Sequence, residues 1–169
     1  MEAQPPSRDE ASSGARLAAL VIALAVCFGA AALGGIATAS SVGTWYPELR
    51  KPPFTPPSWV FGPVWTVLYG LMGVAAWLVW RSGKPGVARR ALWLFVAQLG
   101  LNVAWSWLFF GLRQPGWAFL EICLLWLAIG ATMVAFWGVS RRAGWLLAPY
   151  LLWVTFAAAL NLGIWLLNR

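Results

Sequence analysis

Indole rings and carboxamides are the functional groups this chain has most to offer. Of its 169 residues 14 are Trp and none is His. The commonest haem-iron ligand is therefore missing, and Cys27, Cys123, Met72 and the tyrosines read as ordinary apolar or packing residues. No hydrolytic triad, metal-ligating cluster or phosphate loop can be assembled from the rest, so the ordinary enzyme classes lack their parts. What does recur at helical spacing is a set of aromatic stripes, each with a polar handle. One is Phe61, Trp65, Tyr69, Met72 and Ala76; a second is Gln98, Asn102 and Trp105; a third is Trp153, Ala157, Leu160, Asn161 and Ile164. Such stripes either pack helices together or line an aromatic pocket between them, the usual site type in bundles.

Composition says what must hold those stripes. Hydrophobic residues make up 61% of the chain and charged ones only 10%, against about a quarter charged in soluble domains. Uncharged stretches run over 17–47, 52–80, 91–112, 122–140 and 143–168. Each is long enough for the roughly 20 apolar residues that cross a hydrocarbon core of about 30 Å. Backbone polar groups in lipid must be paired within the segment, and alternating ten-residue strands are absent, so the expected fold is all-α. The sequence predicts an integral membrane bundle of five transmembrane helices near 17–40, 59–80, 91–110, 118–139 and 145–167. Residues 1–15, rich in Ser, Pro and charge, are expected to be a disordered tail ahead of a single domain over 16–169. The first span holds the small-residue run Ala37-Thr38-Ala39, but its apolar stretch exceeds that of a signal peptide, and it is expected to be retained.

Eight of the twelve Lys and Arg fall on the side of the N-terminus and the second and fourth loops, and four on the other. An N-in, C-out orientation follows from that bias. The net charge of +7 is thus a topology signal, and with no basic run above two residues nucleic acid is not an expected partner.

The first loop, residues 45–59, carries five prolines. Proline fixes its own φ and extends the residue before it, so the loop is expected to be stiff and free of helix. It serves either as a rigid lid over a cavity or as an interfacial connector with an aromatic belt. On span 3, Gln98, Asn102 and Trp105 share one face while Gly100 and Ala104 lie almost opposite. The carboxamides should turn inward. The small pair then faces outward, where it either permits a homodimer through span 3 or is incidental. By chain direction Trp65, Trp105 and Trp117 come toward the loop-1 end, with Trp153 deeper. Glu121, one turn into span 4, is expected to pair at the interface with Arg113 or Arg50.

These residues resemble the translocator protein family, also called tryptophan-rich sensory proteins and formerly peripheral benzodiazepine receptors. The resemblance rests on Trp45-Tyr46, Lys51-Pro52, Pro56 through Trp65, Leu68-Tyr69, Gln98 through Trp105, Phe109-Phe110-Gly111, Gln114, Gly116-Trp117, Pro149 through Trp153 and Leu160-Asn161. It covers nearly everything after residue 40. It implies a five-helix bundle that binds tetrapyrroles such as protoporphyrin IX, sterols and synthetic aromatic ligands beneath the first loop. It implies pocket positions at Tyr46, Pro56, Tyr69, Asn102, Trp105, Trp117, Ala157 and Leu160. It also implies a role for Trp65 and Trp153 in light- and oxygen-dependent porphyrin breakdown. Roles in tetrapyrrole transport and in stress- and oxygen-linked regulation belong to the same family. Its animal members carry a cholesterol motif built around a Tyr and an Arg at the end of span 5. Here Leu162 follows Asn161 and Leu166 takes the Arg place, so sterol ranks below porphyrin.

No cofactor or metal is required by this reading, and metal-free porphyrin suits the chain better than ligated haem. The ring would use aromatic walls, and Arg50 or Lys51 would meet its propionates or else anchor lipid headgroups. The functional expectation is a membrane tetrapyrrole-binding sensor or carrier. A porphyrin-degrading enzyme using Trp65 and Trp153 and a dimeric scaffold are the alternatives. A bacterial cell membrane is the expected location, with an outer membrane also consistent.

Overall fold

The computed structural model describes residues 8–82 and 85–169. Helix α1 spans Arg8–Val42, upstream of the expected start at Leu17, so it takes in residues 8–15 of the segment expected to be a tail; residues 1–7 lie outside the described residues. The loop then holds a single helical turn, α2 (Trp45–Glu48), and a 3₁₀ turn at Ser58–Val60. The prolines were expected to forbid any helix here. Pro47 is tolerated because it sits in the first turn, where its missing N–H would have had no intrahelical partner anyway.

Helix α3 spans Phe61–Trp80 and α4 Pro85–Ser106, and α4 runs on into a π-helical turn at Trp107–Gly111. Such a turn leaves carbonyls out of the i to i+4 pattern. At its C-terminal end, where the last carbonyls have no partner within the helix, the Ser41 hydroxyl of α1 donates to the Phe110 carbonyl at 2.6 Å. Arg113 then takes φ 55° to close the hairpin. Helix α5 spans Pro115–Val139, with its proline in the first turn where it costs no hydrogen bond. The fifth crossing is broken in two: α6 (Arg141–Leu146), capped by the Ser140 hydroxyl accepting from the Ala143 N–H, and α7 (Ala148–Leu167). Pro149 at the start of α7 cannot donate back into α6, which is why the chain steps at Leu147.

Five crossings result, Ser13–Val42, Ser58–Trp80, Gly86–Gly111, Pro115–Val139 and Arg141–Leu167, each long and apolar enough to span a membrane. Among the described residues there is no strand. Helix α5 packs against α4 and α7, and α1 against α3 and α4. The core runs through Met72, Ile122, Leu125, Ile129, Phe136 and Tyr150, all buried. Large apolar side chains also cover the outside, with Leu152 71% and Val134 65% exposed, as a lipid-facing surface requires. Trp59 and Trp117 stand exposed at the loop-1 end and Trp80 and Trp145 at the other, the two aromatic girdles of a membrane protein.

Candidate functional site

A string of polar groups crosses the bundle toward the loop-1 end. The Tyr69 hydroxyl donates to Asn102 Oδ1 at 2.5 Å, Asn102 Nδ2 donates to the Tyr150 hydroxyl at 3.0 Å, and that hydroxyl donates to Gln98 Oε1 at 3.1 Å. Gln98, Asn102, Tyr69 and Tyr150 are all buried. Helices α3, α4 and α7 are thereby tied together at one level, since each group would otherwise stay unpaired in a medium that offers no water. One turn nearer the loop, Trp105 Nε1 donates to Asn161 Oδ1 at 3.0 Å, and Asn161 Nδ2 donates to the Pro115 carbonyl at 2.8 Å.

Aromatic rings stack above this floor. Trp65 lies 5.5 Å from the Tyr69 ring and 6.2 Å from that of Tyr150. Trp105 stacks on Phe109 at 5.3 Å, and Trp45 and Tyr46 meet Phe109 from the loop. Trp153 packs edge-on to Phe61 at 5.8 Å. The loop is latched over the cluster at its far side: the Arg50 N–H donates to Asn168 Oδ1 at 3.0 Å and Asn168 Nδ2 donates back to the Arg50 carbonyl at 2.8 Å. Pro52, buried, rests on Gly163, where no side chain would fit.

Most of the positions picked from sequence fall in this region. Tyr46, Trp105 and Leu160 share one apolar cluster around Phe109, while Trp65, Trp153 and Ala157 pack half-buried against the main core. Trp105 belongs to both. Pro56 is half-buried in the loop. Trp117 is not part of the gathering: it is 66% exposed and turned away from the bundle, because Ala118, Ile122 and Leu125 hold the inward face of α5 and leave position 117 outside. The Arg50 side chain is exposed. Lys51 Nζ donates to the Pro47 and Leu49 carbonyls at 3.1 Å and sits 4.8 Å from the Tyr46 ring centroid. Burial pushes the Tyr46 hydroxyl above the ordinary tyrosine range, so it remains a neutral donor.

The expected pairing of Glu121 does not form. Its two carboxylate oxygens are buried without a hydrogen-bond partner among the described residues. Flanked by Ala118, Ile122 and Leu125, it points into the bundle, whereas Arg50 and Arg113 lie exposed. Gln98 Nε2 is likewise buried and unpartnered. The site end therefore holds both an unused donor and an unused acceptor. Gly100 is exposed and a methyl added there would meet nothing within 4 Å, while Ala104 is half-buried rather than fully outward.

A groove of about 560 Å³ opens on the outer face between α3 and α7, lined by Val64, Leu68, Pro149, Trp153 and Phe156 among others. Phe54 of the loop meets Phe156 at its rim, 6.2 Å away. Of the sequence-picked positions only Trp153 lines it. Tyr150 as a hydrogen-bond hub, Phe109 as the centre of the upper cluster and Asn168 as the latch were not singled out from sequence. Extending the stripes by one turn, from Trp153 back to Tyr150 and from Trp105 on to Phe109, would have found the first two.

Comparison with known proteins bears on these observations. The sequence profile of the TspO/MBR family matches residues 21–166. The chain is 44% identical over 152 residues to the tryptophan-rich protein TspO of Archaeoglobus fulgidus, covering 90% of this chain and 95% of that one. It is 46% identical over 123 residues to the human translocator protein, covering 72% and 73% of the two chains. It is 40% identical over 141 residues to the tryptophan-rich sensory protein of Cereibacter sphaeroides, covering 82% and 87%. With five apolar crossings and a family match over most of its length, the chain is an integral, multi-pass membrane protein of the TspO/MBR family.

Proposed function

We propose that this protein is a membrane receptor or sensor that binds a tetrapyrrole such as protoporphyrin IX at the loop-1 end, with a part in tetrapyrrole transport or in stress- and oxygen-linked regulation. The observation that carries the reading is the meeting, under one latched loop, of half-buried Trp65, Trp105 and Trp153 with the bonded amides Asn102 and Asn161. A flat apolar ring gains from stacking on such indoles, and fixed amides orient its polar edge. The rings are packed together in this structure, so the ligand enters by parting the loop from the cluster. Arg50 and Lys51 lie at that edge and supply cations for the propionates. Tyr46, Pro56, Tyr69, Ala157 and Leu160 complete the proposed contacts, and Trp117 stays outside them. The Arg50→Ala/Lys51→Ala variant is expected to weaken protoporphyrin IX binding about tenfold by tryptophan-fluorescence titration. Unchanged affinity would remove the propionate role.

Porphyrin breakdown is the second reading, favoured by the contacts of Trp65 with Tyr69 and Tyr150. A bound porphyrin is itself a photosensitiser, so light, dioxygen and a neighbouring oxidisable indole are sufficient. Under illumination in air, Trp65→Phe/Trp153→Phe is expected to bleach bound porphyrin several-fold more slowly than wild type. Equal loss of absorbance would leave binding alone.

Two further proposals concern the setting. A homodimer would form through the span-3 face at Gly100 and Ala104, where close helix approach is possible. Gly100→Leu should then halve the detergent-corrected mass in light scattering, and no change in mass would reject this face. The Lys and Arg bias supports N-in, C-out insertion, in a bacterial cell membrane or an outer membrane.

A further inference from the structure

At the end of the bundle away from loop 1, two apolar grooves of about 490 and 470 Å³ lie side by side on the outer surface. They share the lining residues Trp80, Leu92 and Val96 and so adjoin along those side chains, two neighbouring parts of one apolar trough. Its walls run along α1 from Ala15 to Val26, with Trp77 on α3 and Phe95 on α4. Eleven residues of helix rise make it about 16 Å long, close to half of a hydrocarbon core roughly 30 Å thick. A trough of that length takes an acyl chain of one leaflet.

The mouth is cationic. Arg89 lines the adjoining groove of about 470 Å³ directly. The Arg81 guanidinium lies 4.6 Å from the Trp77 ring centroid, and Trp77 Nε1 donates at 2.9 Å to the carbonyl of Arg16, whose side chain is exposed. Trp77 thus fixes one cation and the backbone of another beside the apolar wall. Among the described residues no carboxylate lines either groove. Trp80 and Trp93, 50% and 68% exposed, stand at headgroup depth beside the arginines. Guanidinium groups at that depth suit a phosphodiester with no compensating positive charge on its headgroup.

We propose that this trough is a binding site for an anionic glycerophospholipid, its acyl chain along α1 and its phosphate at Arg81 and Arg89. The site is separate from the loop-1 cluster and does not depend on porphyrin binding.

The test uses the full chain, purified in a neutral detergent and titrated with dioleoylphosphatidylglycerol or dioleoylphosphatidylcholine, with lipid occupancy read by native mass spectrometry. One arginine near a charged headgroup changes affinity roughly fivefold. Wild type should therefore bind phosphatidylglycerol at least fivefold more tightly than phosphatidylcholine. Arg81→Gln/Arg89→Gln should lose that preference, while Arg141→Gln/Arg142→Gln, on exposed basic residues outside the trough, should keep it. Ala18→Phe, which fills the trough and leaves every charge in place, should lower occupancy by both lipids. Equal affinity for the two lipids in wild type, a preference that survives Arg81→Gln/Arg89→Gln, or one abolished equally by Arg141→Gln/Arg142→Gln would overturn the proposal. So would undiminished occupancy in Ala18→Phe.

Discussion

Replacing Gly163 with alanine is expected to lift the proline-rich loop off the end of the bundle and to weaken ligand binding at least tenfold. An added Cβ at 163 would overlap Pro52 Cγ. Pro52 cannot turn aside, because its ring is part of the backbone, and its neighbours Arg50 and Asn168 are joined by two hydrogen bonds. The overlap must therefore be relieved by moving the loop, and forced overpacking of this kind costs about 1–3 kcal/mol. That is enough to open a latch made of two polar contacts. The Arg50–Lys51 bond should then become open to trypsin, and protoporphyrin IX titration should report the lost affinity. Gly62→Ala is the control, since a methyl there meets nothing within 4 Å. A Gly163→Ala protein with wild-type trypsin resistance and affinity would mean that loop position does not matter to the site.

Asn102→Leu carries the second large effect, on stability. Asn102 accepts from Tyr69 and donates to Tyr150. Its loss leaves the buried Tyr69 hydroxyl with no partner among the described residues, while Tyr150 keeps Gln98. An orphaned buried polar group costs about 1–3 kcal/mol, and an interhelical hydrogen bond in a membrane adds about 0.6–1.7. The variant should be about 2–4 kcal/mol less stable in a reversible unfolding titration. Removing the orphan as well, in Asn102→Leu/Tyr69→Phe, should make the pair less damaging than the sum of the single changes. Strict additivity would mean that the three groups do not act as one network.

Much of the fold was legible because lipid imposes simple rules. Five uncharged stretches can only be helices, but the break at Leu147, inside the expected span 145–167, was not read from Pro149. The inward turn of Gln98 and Asn102 followed from the cost of carboxamides in hydrocarbon, and both are buried. The helical turn at Trp45–Glu48 was not legible, because a proline count ignores where in a turn the proline stands. Trp117, a pocket position implied by the family resemblance, lies at the loop-1 level but on the exposed side of α5. Glu121 was assigned a surface partner from its position near the helix end, whereas its face on the helix decides where it points. The latch of Asn168 on Arg50 and the seat of Pro52 on Gly163 join residues more than 100 positions apart. No local spacing carries that information.

On the proposed function, the aromatic cluster under loop 1 is a ligand site rather than packing. Titrating the purified full chain with protoporphyrin IX and following tryptophan emission tests it most directly, with empty detergent micelles as the blank for free partitioning. Saturable quenching that ends at one porphyrin per chain is the predicted result. Quenching that rises without saturation, in step with partitioning into empty micelles, would contradict it.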